Sequence, residues 1–359
     1  MKKEKEITKL EILDSLEGLP IVKDTDYKRN TLPIKSGSLS LDFALGIGGY
    51  PSGSIIDIFG EESSGKSLLS IMAMAEVQKN GGAVVVWDAE RSYSKNLEWM
   101  KINGVKTDKL RFLKLNPDQG AEIGFDTIEK IIKEQAADLI VIDSIPSLVP
   151  SEMLKKEIQE SQKLGARASL LTNVLPRLVS LCDEYNTTLM TINQMRANIN
   201  GGFYGPQEKE TSIFALRHHA TIRMHVKKIN KSTKVVNNIP VSHRVNVKIV
   251  KNKVAAPFKT AEFEINYYSG VNRLQEIAEI MISSKIANKK GGWIEYEGNK
   301  YHGIDGLIEM LKDKNTKIDD ILNKIKSTNS NVFGLTEENM IEESITNSVE
   351  KINIEDMDV

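Results

Sequence analysis

Between the apolar runs SIIDIF and LLSIMAMA lies the turn GEESSGKS, and no other stretch of the chain restricts its folding so tightly. Gly60, Gly65, Lys66 and Ser67 satisfy the spacing G-x-x-x-x-G-K-S/T, with Glu61, Glu62, Ser63 and Ser64 between them and Leu68 just after. Such a turn works where a buried strand ends and a helix begins. The glycines let main-chain N–H groups wrap a phosphate, and the helix N-terminus adds positive potential. The lysine reaches the β- and γ-phosphate oxygens, and the serine hydroxyl can ligate magnesium. The anion implied is a nucleoside triphosphate, and the flanks imply an α/β fold.

The rest of the chain continues the alternation. SIIDIFG reads as a buried strand, KSLLSIMAMAEVQKN as a helix stopped by Gly81 and Gly82, and AVVVWDAE as the next strand. Ile123 to Ala136 has helical spacing, and DLIVIDS is a continuous apolar run suited to a central parallel strand. A helical region from Leu164 to Tyr185 contains Pro176, which should kink it or mark its restart, and TTLMTINQ follows as a strand. These β-α-β units predict a doubly wound, mostly parallel sheet covered by helices on both faces. After Gln194 the segment MRANINGGFYGPQEKETS is polar, glycine-rich and aperiodic, so a long mobile loop is expected. HATIRMHVKKI, SHRVNVKIVKN and AEFEINYY then alternate as antiparallel additions to the sheet.

At 359 residues, 40% hydrophobic and 27% charged, the chain has room for one large core and smaller modules. The expected divisions are 1–33, 34–270, a small α+β C-terminal domain over 271–327, and an acidic, disordered tail over 328–359. No apolar run approaches the roughly 18 residues of a membrane span, and the start MKKEKEITKLEILDSLEG is too charged for a secretory signal. The expectation is a cytoplasmic protein with no membrane partner. Cys182 is the single cysteine, which excludes disulfides within the chain and reads as a buried thiol.

Net charge is only -1, but it is unevenly spread. From Phe214 to Thr260 there are eleven Lys and Arg residues and no Asp or Glu, whereas the tail from Thr336 is acidic. The basic stretch reads as a surface for anions. His218, His219, His225 and His243 lie within it and read as strand-surface histidines, since they lack partner cysteines and metal-ligand spacing.

Two carboxylates belong with the phosphate turn. Asp143 ends the strand DLIVIDS, where a carboxylate helps hold the magnesium shell. Glu90, ending the neighbouring strand, should point into the same crevice at the carboxyl ends of the strands, where it can orient and deprotonate water.

Several segments together resemble the bacterial and phage RecA recombinase family: SGSLSLDFALGIGGYPSGSIIDIFGEESSGKS, VVVWDAE, LIVIDS, TINQMR and VKIVKNKVAAPFKTAEFEI, in the family's order and spacing. The resemblance runs from about Ser36 to Tyr268 and continues more weakly beyond. It implies a RecA-type P-loop ATPase core with a short N-terminal segment that docks on the next protomer. It also implies ATP and Mg²⁺ as cofactors and a homo-oligomeric helical filament on single-stranded DNA that pairs with homologous duplex DNA.

By matching motif, Lys66 and Ser67 bind phosphates and magnesium, Glu90 activates water, Asp143 belongs to the metal shell, and Gln194 senses the γ-phosphate. Lys251 and Lys253 match lysines that reach across a subunit interface to the neighbour's ATP, and their i, i+2 spacing predicts one face of a strand. Two loops, roughly Met153 to Gly165 and Met195 to Ser212, match the segments that face DNA. Their candidate contacts are Lys163, Arg167, Arg196, Asn198, Phe203 and Tyr204, with cations for phosphates and aromatic rings for bases.

Two places depart from the family. ETSIFALRHHATIR lacks the usual glycine pair after the second loop, and Arg217 and His218 fill the positions of a basic and an aromatic residue near the interface. ERSYSKNLEWMKINGV is longer than usual, which leaves Trp99, against Tyr93, as the candidate for stacking on the base. Two other readings share the P-loop: a RecA-fold helicase or loader motor, and a DNA-binding paralogue that holds nucleotide without turnover. The VKNKVAAPF segment favours the filament over the first, and Lys66 with Glu90 argues against the second.

Overall fold

The structure, a computed structural model, describes residues 31–154, 165–197, 208–210, 214–313 and 316–328. The chain divides into two compact units, Met1–Leu32 and Pro33–Val359, and every described element lies in the second. The proposed docking segment and the acidic tail fall almost entirely outside the described residues.

Helix α1 (Leu39–Leu45) precedes β1 (Ile55–Gly60), whose six residues are all buried. The glycine turn leads into α2 (Lys66–Lys79), which ends at Asn80 before Gly81 and Gly82, as the pattern predicts. β2 (Val84–Asp88), α3 (Leu97–Ile102), β3 (Arg111–Leu113), α4 (Ala121–Lys133) and β4 (Leu139–Asp143) extend the β-α alternation. A single 3-10 turn (Ile145–Ser147) and α5 (Ser151–Leu154) follow, then α6 (Ala166–Tyr185) and β5 (Thr188–Ala197).

Pro176 lies inside α6 and does not divide it. The buried face of Leu171, Val174, Leu175, Leu178 and Cys182 holds the helix together despite the lost N–H donor. Cys182 is fully buried there, and burial pushes its thiol up to about 12, so it is inert.

Strand pairing reaches into the aperiodic segment after Gln194. β5 continues to Ala197 and pairs antiparallel with β6 (Glu208–Glu210), so the base of the expected loop is a ladder of Met195 with Glu210 and Ala197 with Glu208. Strand pairing needs main-chain hydrogen bonds more than side-chain periodicity, which is why the sequence pattern conceals it. Next come α7 (Phe214–His219), β7 (Ile222–Lys228), β8 (Lys234–Val236), β9 (Ile239–Asn252), β10 (Thr260–Asn266) and β11 (Gly270–Val271).

These strands form one sheet in the order β11-β10-β9-β7-β1-β5-β4-β2-β3, with β6 and β8 attached to β5 and β9. From β7 through β1 to β3 every neighbouring pair is parallel, and β9, β10 and β11 add antiparallel at the other side. Both faces are apolar. Ile56, Ile58, Val84, Val86 and Val141 pack with α2, whereas Ile55, Val85, Trp87, Ile140 and Ile142 pack with α4 and α6. Alternate residues of one strand thus serve opposite layers, each buried aliphatic side chain contributing about 1.5–3 kcal/mol.

A C-terminal layer contains α8 (Arg273–Ser283), a three-stranded antiparallel sheet of β12 (Asn288–Lys290), β13 (Trp293–Tyr296) and β14 (Asn299–His302), then α9 (Gly303–Lys312) and α10 (Ile318–Thr328). It has its own apolar cluster, including Met281, Ile294, Leu307 and Ile325. Glu276 of α8 accepts from the N–H groups of Leu39 at 3.0 Å and Ser40 at 2.9 Å, so a buried carboxylate caps α1.

Candidate active site

β1, β5, β4 and β2 lie side by side and end at the same edge, which brings distant motifs together. Gly60 is level with Gln194 across β1 and β5, and Asp88 is level with Asp143 across β2 and β4. Glu90 lies just past β2, and its N–H donates to the Asp143 carbonyl at 3.1 Å. The turn, both carboxylates and Gln194 therefore share one crevice.

Each motif glycine has a local cause. A Cβ on Gly60 would stand 2.1 Å from the Val226 carbonyl oxygen, so only glycine lets the turn leave β1 beside β7. Gly65 has φ +100°, a conformation that excludes other residues at low cost. Ser63 also takes positive φ, and such turns make main-chain N–H groups converge on an anion. No side chain caps α2 at Gly65. The buried Ser64 hydroxyl meets no hydrogen-bond partner among the described residues, and the Lys66 ammonium donates to the Glu61 carbonyl. Burial holds the Lys66 ammonium below its ordinary pKa, against the pull of Asp143 and Glu90. These features fit a phosphate.

Ser67 Oγ donates to Asp143 Oδ2 at 3.2 Å, so a hydroxyl and a carboxylate oxygen face one point. Hard oxygen donors in this pairing suit magnesium. Burial first, then the charge of Glu90, push Asp143 up to about 6, while Ser67 opposes the shift. A divalent cation would remove that strain by supplying the missing positive charge.

Glu90 is exposed and collects three donors. Gln194 Nε2 donates to Glu90 Oε1 at 2.7 Å, Ser147 Oγ at 3.1 Å, and Ser144 Oγ also donates to it. The carboxylate is thus aimed by residues from β5 and from the turn after β4. Ser144 and Ser147 escaped the sequence reading, although their position just after Asp143 was the available signal.

Tyr93, the alternative to Trp99 for stacking on the base, is buried. It is 2% exposed, and its Oη is 2.6 Å from Ser70 Oγ on α2, beside Asp143. It backs Asp143 from inside the fold, and its ring is closed to a base. Trp99, on α3, is partly buried against the main core.

The basic stretch is corrected. Arg223 is spent on Asp57, Nε to Oδ2 at 2.8 Å, and both are buried. Its guanidinium lies 4.6 Å from the Phe59 ring centroid, and His225 stacks on the same ring at 4.9 Å. Arg244 binds Glu279 through both nitrogens at 2.6 and 2.9 Å, and Lys234 meets Glu264 at 2.6 Å. The acids come from outside the basic stretch or its near edge, so a linear charge map cannot see them. An acid within the buried run IIDIFG was the signal that a cation must approach.

Lys251 Nζ donates to the carbonyls of Arg217 at 2.8 Å and His218 at 2.7 Å, at the carboxyl end of α7. Lys253 is exposed but lies beyond β9, which ends at Asn252, so the two lysines do not share a strand face. A register shift between Arg223 and Met224 in the β7–β9 ladder breaks the simple alternation just before them. Arg217 is exposed, 5.8 Å from the Phe214 ring centroid. Arg167 donates through Nε to the Leu148 carbonyl at 2.9 Å. The first loop begins within α5, which includes Met153 and Leu154. Lys163, Asn198, Phe203 and Tyr204 lie outside the described residues, and Arg196 is described only in its backbone.

A mostly parallel sheet whose β1 runs into a phosphate turn, with an acid and a glutamine at the neighbouring strand ends, defines a P-loop nucleotide-binding protein. The sequence model of the RecA N-terminal domain matches residues 17–272. A protein named RecA from Mesomycoplasma hyopneumoniae strain 7448 is 38% identical over 306 residues, covering 83% of this chain and 87% of that one. The RecA of Campylobacter fetus subsp. fetus strain 82-40 is 38% identical over 299 residues, covering 82% and 83%. That of Leptospira biflexa serovar Patoc is 41% identical over 271 residues, covering 74% and 67%. The chain belongs to the RecA family. It is a RecA-like recombination protein, a DNA-dependent ATPase of a family that binds nucleotide and DNA and forms filaments. Among the described residues no helix is long and apolar enough to cross a membrane.

Proposed function

We propose that this chain assembles with ATP and Mg²⁺ into a helical filament on single-stranded DNA in the cytoplasm and exchanges strands with a homologous duplex. The observation that carries the reading is the contact of Gln194 with Glu90 at 2.7 Å, because it ties the strand leading into the second loop to the acid beside the phosphate turn.

In this reading the Gly60–Leu68 turn and Lys66 hold the triphosphate, with Ser67 and Asp143 as the ligands for Mg²⁺. When bound, the ion neutralises charge on the β- and γ-phosphate oxygens. Glu90 takes a proton from the attacking water, and Gln194 and Ser147 keep its carboxylate in place. Lys251 and Lys253 act on the neighbouring protomer's phosphates, so turnover needs assembly. Lys163, Arg167, Arg196, Asn198, Phe203, Tyr204 and Arg217 contact DNA or the adjoining interface, and Trp99 packs near the base. Residues 1–33 dock protomers, 34–270 form the ATPase core, and 271–327 form an accessory domain.

The test is ATP hydrolysis with and without single-stranded DNA, combined with filament imaging. DNA-stimulated turnover in filaments is expected. Turnover without DNA stimulation would refute the reading, and stimulation without filaments would favour a helicase-type motor.

A further inference from the structure

Asn252 stands between the two lysines assigned to the cross-subunit site, and its side chain joins three parts of the chain. Nδ2 donates to the carbonyl of Leu45, the last residue of α1, at 3.0 Å. Oδ1 accepts from the N–H groups of Val254 at 3.0 Å and Ala255 at 2.9 Å. The amide can face only one way, because its nitrogen meets a carbonyl and its oxygen meets two donors.

These bonds turn the chain sharply at the end of β9 and tie the turn to a helix terminus. On one side, Lys251 donates to two carbonyls of α7. On the other, the N–H of Lys253 donates to the Thr221 carbonyl at 3.1 Å. The backbone between the two lysines is thus pinned at α1 and the start of β7, while the Lys251 ammonium itself rests on the end of α7. Of these pins, only the Asn252 amide binds both the turn and another element through one side chain.

We propose that Asn252 is a positioning residue for Lys251 and Lys253, fixing how far the two cations extend from this protomer toward the next one's triphosphate. The inference rests on the cross-subunit reading of those lysines. Truncating the amide to alanine leaves the charge in place but frees the turn, and a lysine on a flexible four-carbon stem then loses its aim. Misplacing a reacting group by about 1 Å costs on the order of 100-fold in rate.

The experiment uses full-length Asn252→Ala and Asn252→Asp, the second retaining the Oδ acceptor should the first fail to fold. DNA-stimulated kcat should fall by about 10- to 100-fold with KM for ATP within about twofold, since binding depends on the other protomer face. The deciding arm mixes each variant with Glu90→Gln, which has intact lysines but no base. At interfaces where a Glu90→Gln protomer offers its lysines to an Asn252→Ala protomer's site, activity returns. With random mixing at equal amounts that is about a quarter of interfaces, because filament contacts are head-to-tail. Lys251→Ala mixed with Glu90→Gln is the control. If the control recovers and the Asn252 mixtures do not, or if Asn252→Ala keeps full activity, the positioning role is overturned. If the control also fails to recover, the cross-subunit reading falls and this inference with it.

Discussion

Gln194 and Glu90 are 104 residues apart in sequence, yet the amide of the first donates to the carboxylate of the second at 2.7 Å. β5 brings the glutamine to the level of Gly60, and the turn after β2 brings the acid across β4 to meet it. In the proposed function, Glu90 as base is held by a residue on the strand that enters the proposed DNA-facing segment, so it can respond to what that segment binds.

Gln194→Ala should lower DNA-stimulated kcat by about 10- to 100-fold while leaving equilibrium ATP binding near wild type, as expected when a general base loses its orientation. Glu90→Gln should remove turnover in both conditions. Steady-state hydrolysis with and without single-stranded DNA distinguishes the two. Equal loss of basal and stimulated rates in Gln194→Ala would refute a coupling role.

Asp143 makes the nucleotide-free protein sensitive to pH. Its folded pKa, pushed up to about 6, exceeds the ordinary 3.8, so the folded state holds the proton more tightly than the unfolded chain. Its contribution to stability is present below pH 3.8 and is lost as pH rises through about 6. Asp143→Asn should therefore raise the melting temperature at pH 8 more than at pH 5, by on the order of 2 kcal/mol in stability. Parallel melting profiles for the two proteins between those pH values would count against the assignment.

The Asp57–Arg223 pair joins the strand feeding the phosphate turn to β7. Thr191 on β5 also donates to Asp57, at 3.2 Å, so the carboxylate ties three parallel strands. Arg223→Leu should cost about 3–5 kcal/mol, because a buried carboxylate loses its cation. The double variant Asp57→Leu with Arg223→Leu should recover much of that loss. Urea denaturation midpoints measure both, and simple additivity of the two single changes would show that the pair is not coupled.

If the lysine acts from a neighbour as proposed, Lys251→Ala should fold and bind DNA but hydrolyse ATP slowly at every protein concentration. Wild type should instead gain specific activity as concentration rises and filaments form. A Lys251→Ala variant whose specific activity rises with concentration as wild type's does would remove the lysine from the catalytic site.

The sequence by itself determined the parts whose cause is local. GEESSGKS between a strand and a helix depends on main-chain geometry over a few residues, and the placement of β1, α2, β2 and β4 follows from apolar runs and glycine stops. Asp143 and Glu90 were legible because strand ends are legible. Tertiary structure decided what depends on partners far along the chain. It buried Tyr93 behind Asp143, and it neutralised Arg223, Lys234 and Arg244 with acids that composition alone could not match to them. It also placed Lys251 on the end of α7 and Asn252 on the end of α1. Hydrogen bonds and ion pairs act over about 3–4 Å in space, whereas hydrophobic period and turn chemistry act over neighbours in sequence.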